Sequence, residues 1–295
     1  MTLSPPPASR TGLLCGLAAY GLWGLIPLYF KSVAGIAPLE VLAHRGLWSF
    51  VMLLLLSGWL GRWSDVGRVL RHPRLLAMLS VTSLLIAVNW LTFIYAVVSR
   101  QLLQSSLGYF ANPLVSVLLG VIFLRERLRP YQVASIALAA TGVLVLAAMV
   151  GQVPWISLTL AFSFAFYGLL RKVMPVDGMV SLTVETGLMA PFSLAYLGWL
   201  AAGDQFTGNT LPALGLLMLS GPVTTIPLLF FGAAARRLRL STLGILQYVT
   251  PTGQFLLAVL AFGESFSMPQ LLSFACIWTA LAIYSAGAYR RRHVG

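Results

Sequence analysis

The sequence predicts an all-α integral membrane protein: ten transmembrane helices arranged as two inverted five-helix repeats. Three observations predict it. Of the 295 residues, 59% are hydrophobic and 9% charged, where a soluble domain carries about 25% charged residues. The apolar residues gather into ten runs near the ~20 residues that a helix needs to cross the hydrocarbon core. Lys and Arg then alternate sides from one run to the next.

The runs are bounded by charged or Pro/Gly-rich breaks. A Pro-rich segment, residues 1–10, reads as a disordered cytoplasmic N-terminus. The first span, 11–32, follows Arg10. It is too long for a signal-peptide core and no clean A-x-A cleavage site follows, so it reads as retained. Span 39–60 ends at a basic stretch, Gly61 to Arg74, expected to lie on the cytoplasmic surface where Arg meets anionic lipid. Spans 75–98, 103–124 and 131–150 complete the first half. The second half holds 154–172, 179–201, 211–234, 241–262 and 268–289, followed by a basic C-terminus, 290–295. Pro191, Gly221, Pro222 and Pro227 interrupt the seventh and eighth spans. Membrane helices tolerate such residues because neighbouring groups satisfy the freed backbone.

The net charge of +12 would suggest nucleic acid in a soluble protein. In a membrane protein the positive-inside rule accounts for it. Sixteen of the nineteen Lys and Arg fall at the N-terminus, the C-terminus or the loops on their side; Lys31 and Arg100 fall on the other side, and Arg45 within a span. This places the chain in a bacterial inner membrane with both termini cytoplasmic.

An internal repeat supports the span count. Pro113 in SLGYFANPLVSVLLGVIFLRE aligns with Pro251 in STLGILQYVTPTGQFLLAVLAFGE, and Glu126 with Glu264. The same offset aligns FIYA, ending at Ala96, with FGAA, ending at Ala234. AYGLWG resembles SFAFYG, and Arg45 falls close to Glu185 in the second span of each half. Two halves, 11–150 and 154–289, each hold five spans, so the copies must cross the membrane in opposite directions. Inverted repeats characterise secondary transporters, whose substrate sites lie near the midplane between the repeats.

These motifs resemble the drug/metabolite transporter superfamily, in which the EamA-type domain occurs twice. AYGLWG, LEVLAHRGLWSF, NWLTFIYAV, SSLGYFANPLVSVLLG, LAFSFAFYGLLRK and RLRLSTLGILQYVTPT look like its RarD branch, from about Gly12 to Tyr289. The resemblance implies a small-molecule carrier, a permease for a polar or amphipathic metabolite or drug, acting by alternating access as an exporter.

Arg45 and Glu185 are the candidate site charges. An isolated charge in a span costs roughly 2.5–3.5 kcal/mol on insertion scales. They could pair with each other or bind the carboxylate and ammonium of a zwitterion; Glu185, and His44 beside Arg45, could also relay protons. Asn89, Phe93 and Ala96 lie on one stripe, with Trp90 beside it, and Ser105, Tyr109, Asn112 and Ser116 on another. In lipid, such polar stripes must face protein or a water-filled cavity. Asn89, Trp90, Tyr109, Asn112, Gln247 and Tyr248 are therefore candidate substrate ligands. Gly108, Pro113, Gly244 and Pro251 are candidate hinges. Glu126 and Glu264 read as helix-end caps. Tyr20, Trp23 and Tyr167 are further aromatic candidates for the site.

The chain carries no phosphate-binding G-x-x-x-x-G-K-[ST] loop and no His/Cys cluster with metal spacing. Cys15 and Cys276 both fall in apolar runs and imply neither a disulfide framework nor a metal site. A non-enzymatic carrier without cofactor, metal or ATP is expected, with a small-molecule substrate and the lipid bilayer as partners and no nucleic acid. The alternatives are an intramembrane enzyme acting on a lipid-borne substrate and a channel. The orientation has a direct test. A cysteine at Gly295 should resist labelling from the periplasm in intact cells, and labelling there would reverse it.

Overall fold

The computed structural model describes residues 9–98, 102–150, 155–261 and 268–294. Among them all regular structure is helical. The helices of the first half are α1 (Arg10–Ser32), α2 (Pro38–Trp59), the short α3 (Trp63–Leu70), α4 (Pro73–Val98), α5 (Leu102–Leu124) and α6 (Pro130–Val150). Those of the second half are α7 (Trp155–Val173), α8 (Gly178–Ala202), α9 (Leu211–Arg237), α10 (Leu240–Leu246), α11 (Val249–Leu256) and α12 (Met268–Val294). Seven of them, α1, α2, α4, α5, α7, α8 and α9, contain stretches long and apolar enough to cross a bilayer. The shorter apolar stretches Pro130–Val145 and Leu271–Gly287 lie in α6 and α12.

The helix starts follow local chemistry. Ser9 caps α1 by accepting from the Gly12 N–H at 3.3 Å, Asp177 caps α8 through the Met179 N–H at 3.0 Å, and Thr210 caps α9 through the Ala213 N–H at 3.4 Å. Proline opens α2, α4 and α6, where a missing N–H is harmless. At α10 the residue in the cap position, Arg239, makes no side-chain bond to the helix start. Glu126 supplies it from the first half. It accepts from the Leu240 N–H at 2.6 Å and from the Ser241 N–H and Oγ at 3.0 and 2.6 Å. A carboxylate suits the positive end of a helix. The left-handed conformation of Arg125 (φ 51°) ends α5 and turns Glu126 toward α10.

The ninth apolar run departs from the continuous span expected. It breaks at Gln247–Tyr248 into α10 and α11, and α11 continues into a π-helical turn at Leu257–Ala261. Pro251 explains the position of the break. It has no N–H for the carbonyl four residues back, Gln247, which instead accepts from the Thr250 N–H at 3.1 Å. In α5, Pro113 is accommodated without interrupting the helix. Glu264, expected to cap a helix end, lies outside the described residues.

The packing is reciprocal. Helix α2 lies on α8; α6 lies on α12; α5 lies on α10. Helix α1 packs on α9 and α11, as α7 packs on α4 and α5, and α2 meets α9 as α8 meets α4. Exchanging the long helices of the first half for their counterparts in the second maps these pairings onto one another, whereas the contacts of α5 with α6 and of α7 with α9 are not mirrored to the same extent. Helices α2 and α8 run antiparallel, with Ser57 bonded to Thr183 at 3.0 Å, Gly187 against Phe50 and Gly46 against Ser193.

Two glycines singled out as hinges sit at close crossings. A Cβ on Gly108 would lie 3.0 Å from the Ser157 carbonyl of α7, and one on Gly244 would lie 2.8 Å from the Pro113 carbonyl of α5. Gly244→Ala should therefore destabilise the fold by roughly 1–3 kcal/mol through overpacking. Gly198→Ala, with nothing within 4 Å of the added Cβ, should not. Thermal unfolding of the two variants in detergent makes the comparison, and equal stability would show that α5 and α10 separate easily at this crossing.

Candidate functional site

A cavity of about 490 Å³ opens between the two halves, within the size range of small-molecule sites. It runs from the bundle centre toward the end that carries the α1–α2 loop. Its walls come from α1 (Trp23, Pro27, Phe30), α2 (Leu42, Arg45), α4 (Asn89, Trp90, Phe93), α5 (Tyr109), α7 (Phe164), α9 (Thr224, Leu228) and the broken helix (Gln247, Thr250, Pro251, Gln254).

Arg45 is buried, 9% exposed. Its Nε donates to Thr224 Oγ1 at 3.0 Å, and its guanidinium carbon lies 4.7 Å from the Trp90 ring centre and 5.5 Å from that of Phe30. Rings at such distances hold a cation by their negative faces. Among the described residues no carboxylate lies within ion-pair distance of it, and none lines the cavity.

Tyr109 and Gln247 are brought together on the cavity wall. Each stands four residues before a repeat proline, Pro113 or Pro251, so each occupies the turn that the proline loosens. Asn89 also lines the cavity while its Nδ2 binds α7 at Leu160 O (3.0 Å) and Ser163 Oγ (2.9 Å). Beneath the cavity Trp23, Phe164, Tyr20, Tyr167 and Phe231 form a cluster of rings, with neighbouring centroids 5.2–6.2 Å apart.

Other sequence candidates lie elsewhere. His44 Nδ1 accepts from Trp48 Nε1 at 3.2 Å. Asn112 ties α5 to α7 through Ala161 O at 2.9 Å. Tyr248 is buried in the core of Leu107, Phe110, Ile245, Phe274 and Ile277. None of the three lines the cavity.

Glu185 does not meet Arg45. Its carboxylate accepts from Thr82 at 2.6 Å and Tyr167 at 3.3 Å, and lies 3.8 Å from Arg171 Nη1. The reason is geometric. Arg45 and Glu185 are each the eighth residue of their helix, but α2 and α8 run antiparallel. Arg45 is level with Ser193, eight residues beyond Glu185, or about 12 Å along the axis at 1.5 Å per residue. Arg171, expected in a cytoplasmic loop, has a buried side chain on the last turn of α7 and also donates to Gly178 O at 3.2 Å. The expectation of a single buried cation and a single buried anion is thereby corrected. Glu40 is also fully buried, accepting from Thr207 and Gly208 N–H groups at 2.9 and 3.0 Å.

The end of the bundle away from the α1–α2 loop carries links between the halves and others within the second half. Glu126 holds α10, with Arg239 at 3.6 Å. Asp177 meets Arg62 at 3.6 Å and Arg236 at 3.3 Å. Partial burial works against ionisation of Asp177, but the Met179 N–H, Arg236 and Arg62 hold its carboxyl below the usual range. Its links therefore persist at neutral pH and are lost as pH falls through that lowered value. Lys172 reaches the Ala235 and Leu238 carbonyls at the end of α9.

Sequence reasoning missed Thr224 and Phe30. The signal for Thr224 was the Thr224–Thr225 pair in an otherwise apolar run. If the Glu185–Arg171 pair is structural, Glu185→Gln should leave a buried cation unmatched and destabilise the protein by about 3–5 kcal/mol. The double substitution Arg171→Met with Glu185→Gln should recover most of that loss. Unfolding in detergent measures both, and a stable Glu185→Gln single variant would refute the pairing.

Comparison with known proteins follows this architecture. Residues 10–148 match the family model described as the EamA-like transporter family. An uncharacterised transporter of Vibrio cholerae is 45% identical over 287 residues, 97% of this chain and 95% of its own. Protein RarD of Escherichia coli is 45% identical over 278 residues, 94% of each chain. A Pseudomonas aeruginosa protein named chloramphenicol-sensitive protein RarD is 35% identical over 280 residues, 93% of each. A crystal structure superposes with a TM-score of 0.71 at 20% identity, covering 96% of this chain and all of that one, a likeness of fold. The chain belongs to the EamA-like transporter family, with RarD proteins among its full-length relatives.

Proposed function

We propose that the protein is a secondary carrier of small polar or amphipathic solutes, built as ten spans in two inverted repeats and working by alternating access. The observation that carries this reading is the central cavity, walled by both halves and solute-sized, in which Arg45 is buried with no counter-ion among the described residues. The reciprocal packing of the helices supports the two repeats, as does the helix broken at the cavity wall, a feature of carriers of this kind. The closed end, fastened by Glu126 and Asp177 across the halves, supports a state open at one face. The Lys and Arg asymmetry supports placing that closed end, and both termini, in the cytoplasm. Flux direction is then set by solute and ion gradients and not by the cavity, so the exporter reading concerns the cell more than the fold.

A channel and a carrier give different kinetics. Metabolite profiles of cells with and without overproduction of the protein nominate solutes, which are then tested in proteoliposomes. Preloading with unlabelled solute should accelerate uptake of labelled solute severalfold, as an exchanging carrier requires; no acceleration would favour a channel. Arg45→Lys keeps the charge but loses the planar fork. It should insert at normal levels and raise the half-saturating concentration by about tenfold, the loss of roughly one charge-assisted hydrogen bond. Wild-type affinity in that variant would remove Arg45 from the site.

A further inference from the structure

We infer that the cavity selects organic monoanions with a flat apolar body, favouring them over zwitterions and rejecting amines. The inference rests on the reading of the cavity as the solute site and departs from one alternative read from sequence, a zwitterion held between Arg45 and Glu185.

The charges on the cavity wall decide the sign. Among the described residues that line it, Arg45 is the only Lys, Arg, Asp, Glu or His. Glu185 is turned away and held by Thr82, Tyr167 and Arg171. His44 is bonded to Trp48 and does not line the cavity. The acceptors that do line it are neutral: the amides of Asn89, Gln247 and Gln254 and the hydroxyls of Tyr109, Thr224 and Thr250. Of these, Thr224 Oγ1 already accepts from Arg45 Nε at 3.0 Å, while Thr250 and Gln254 are fixed by donating to Tyr20 O at 3.0 Å and Trp23 O at 3.3 Å.

The geometry of Arg45 decides the chemical group. Thr224 takes Nε at 3.0 Å, and Trp90 and Phe30 cover the guanidinium. What remains toward the cavity is the edge formed by the two terminal nitrogens, a fork that matches the two oxygens of a carboxylate. Thr224 is thus a positioning residue. A carboxylate entering here replaces lost hydration by a full ion pair in a site of low dielectric. A zwitterion gains the same pair but must also desolvate an ammonium that meets no carboxylate, which is costly. An amine meets Arg45 with like charge. Trp23, Trp90, Phe30, Phe93 and Phe164 surround the rest of the space and suit a ring or flat hydrocarbon body.

Four probes of one shape separate these cases: 3-phenylpropionate, 3-phenylpropanamide, phenylalanine and 3-phenylpropylamine. Binding to the full-length protein in detergent at pH 7 is measured by calorimetry. The expected order is 3-phenylpropionate tightest, the amide and phenylalanine each weaker by about tenfold or more, one lost charge-assisted interaction, and no binding of the amine. Thr224→Val should reduce the preference for the acid over its amide while leaving amide affinity within about twofold, a change that general loss of packing would not produce. Phenylalanine or the amine binding as tightly as the acid would overturn the inference and leave the cavity as a solute site. Failure of all four probes to bind would overturn both.

Discussion

A charge in the hydrocarbon core must find a partner in the protein, because the bilayer supplies none. The rest of this structure is arranged around that constraint. Glu40 is met by the Thr207 and Gly208 backbone, Glu126 by the start of α10, and Glu185 by Thr82, Tyr167 and Arg171. Three of these acids join the first half of the chain to the second. Burial of each carboxylate is thus coupled to assembly of the bundle. Arg45 obeys the constraint differently. Its charge is spread over two aromatic faces and one hydroxyl, and its remaining donors face the cavity.

The same accounting separates the two ends of the bundle. Toward the α1–α2 loop the walls are aromatic and apolar around Arg45, and space remains between them. Toward the other end the rings of Trp23, Phe164, Tyr167 and Phe231 close over one another. Beyond them, ion pairs and helix-cap bonds fasten loops from both halves. A carrier that exposes its site to one face at a time needs bonds of this kind at the closed end, strong enough to hold and local enough to exchange.

Much of this was legible in the sequence. The helices follow the apolar runs closely, because the length of a span is set by the bilayer and the breaks by Arg, Pro and Gly. The polar stripe of the fourth span and its match in the ninth pointed to Tyr109 and Gln247, and the expense of an intramembrane cation pointed to Arg45; all three line the cavity. The partner of Glu185 was not legible. Because α2 and α8 run antiparallel, the eighth residue of one lies at a different depth from the eighth residue of the other, so the alignment that set Arg45 beside Glu185 in sequence set them apart in space. Arg171 misled for another reason: a long side chain on a last helical turn can reach back into the core, and its place in a basic pair hides this. The break at Gln247–Tyr248 follows from Pro251, yet Pro113 in the aligned position leaves α5 continuous. Local sequence alone does not tell those two outcomes apart.

The central claim is that a cavity built around Arg45 is open to one face of the membrane and sealed from the other. Phe93 lines that cavity, and a Phe93→Cys variant with Cys15 and Cys276 replaced by serine gives it a single thiol. Labelling with a membrane-impermeant anionic thiol reagent, applied to each face separately, measures access directly. The account predicts reaction from the face that carries the α1–α2 loop and protection from the face that carries Asp177 and Glu126. Reaction from the Asp177 face, or no reaction from either, would contradict it.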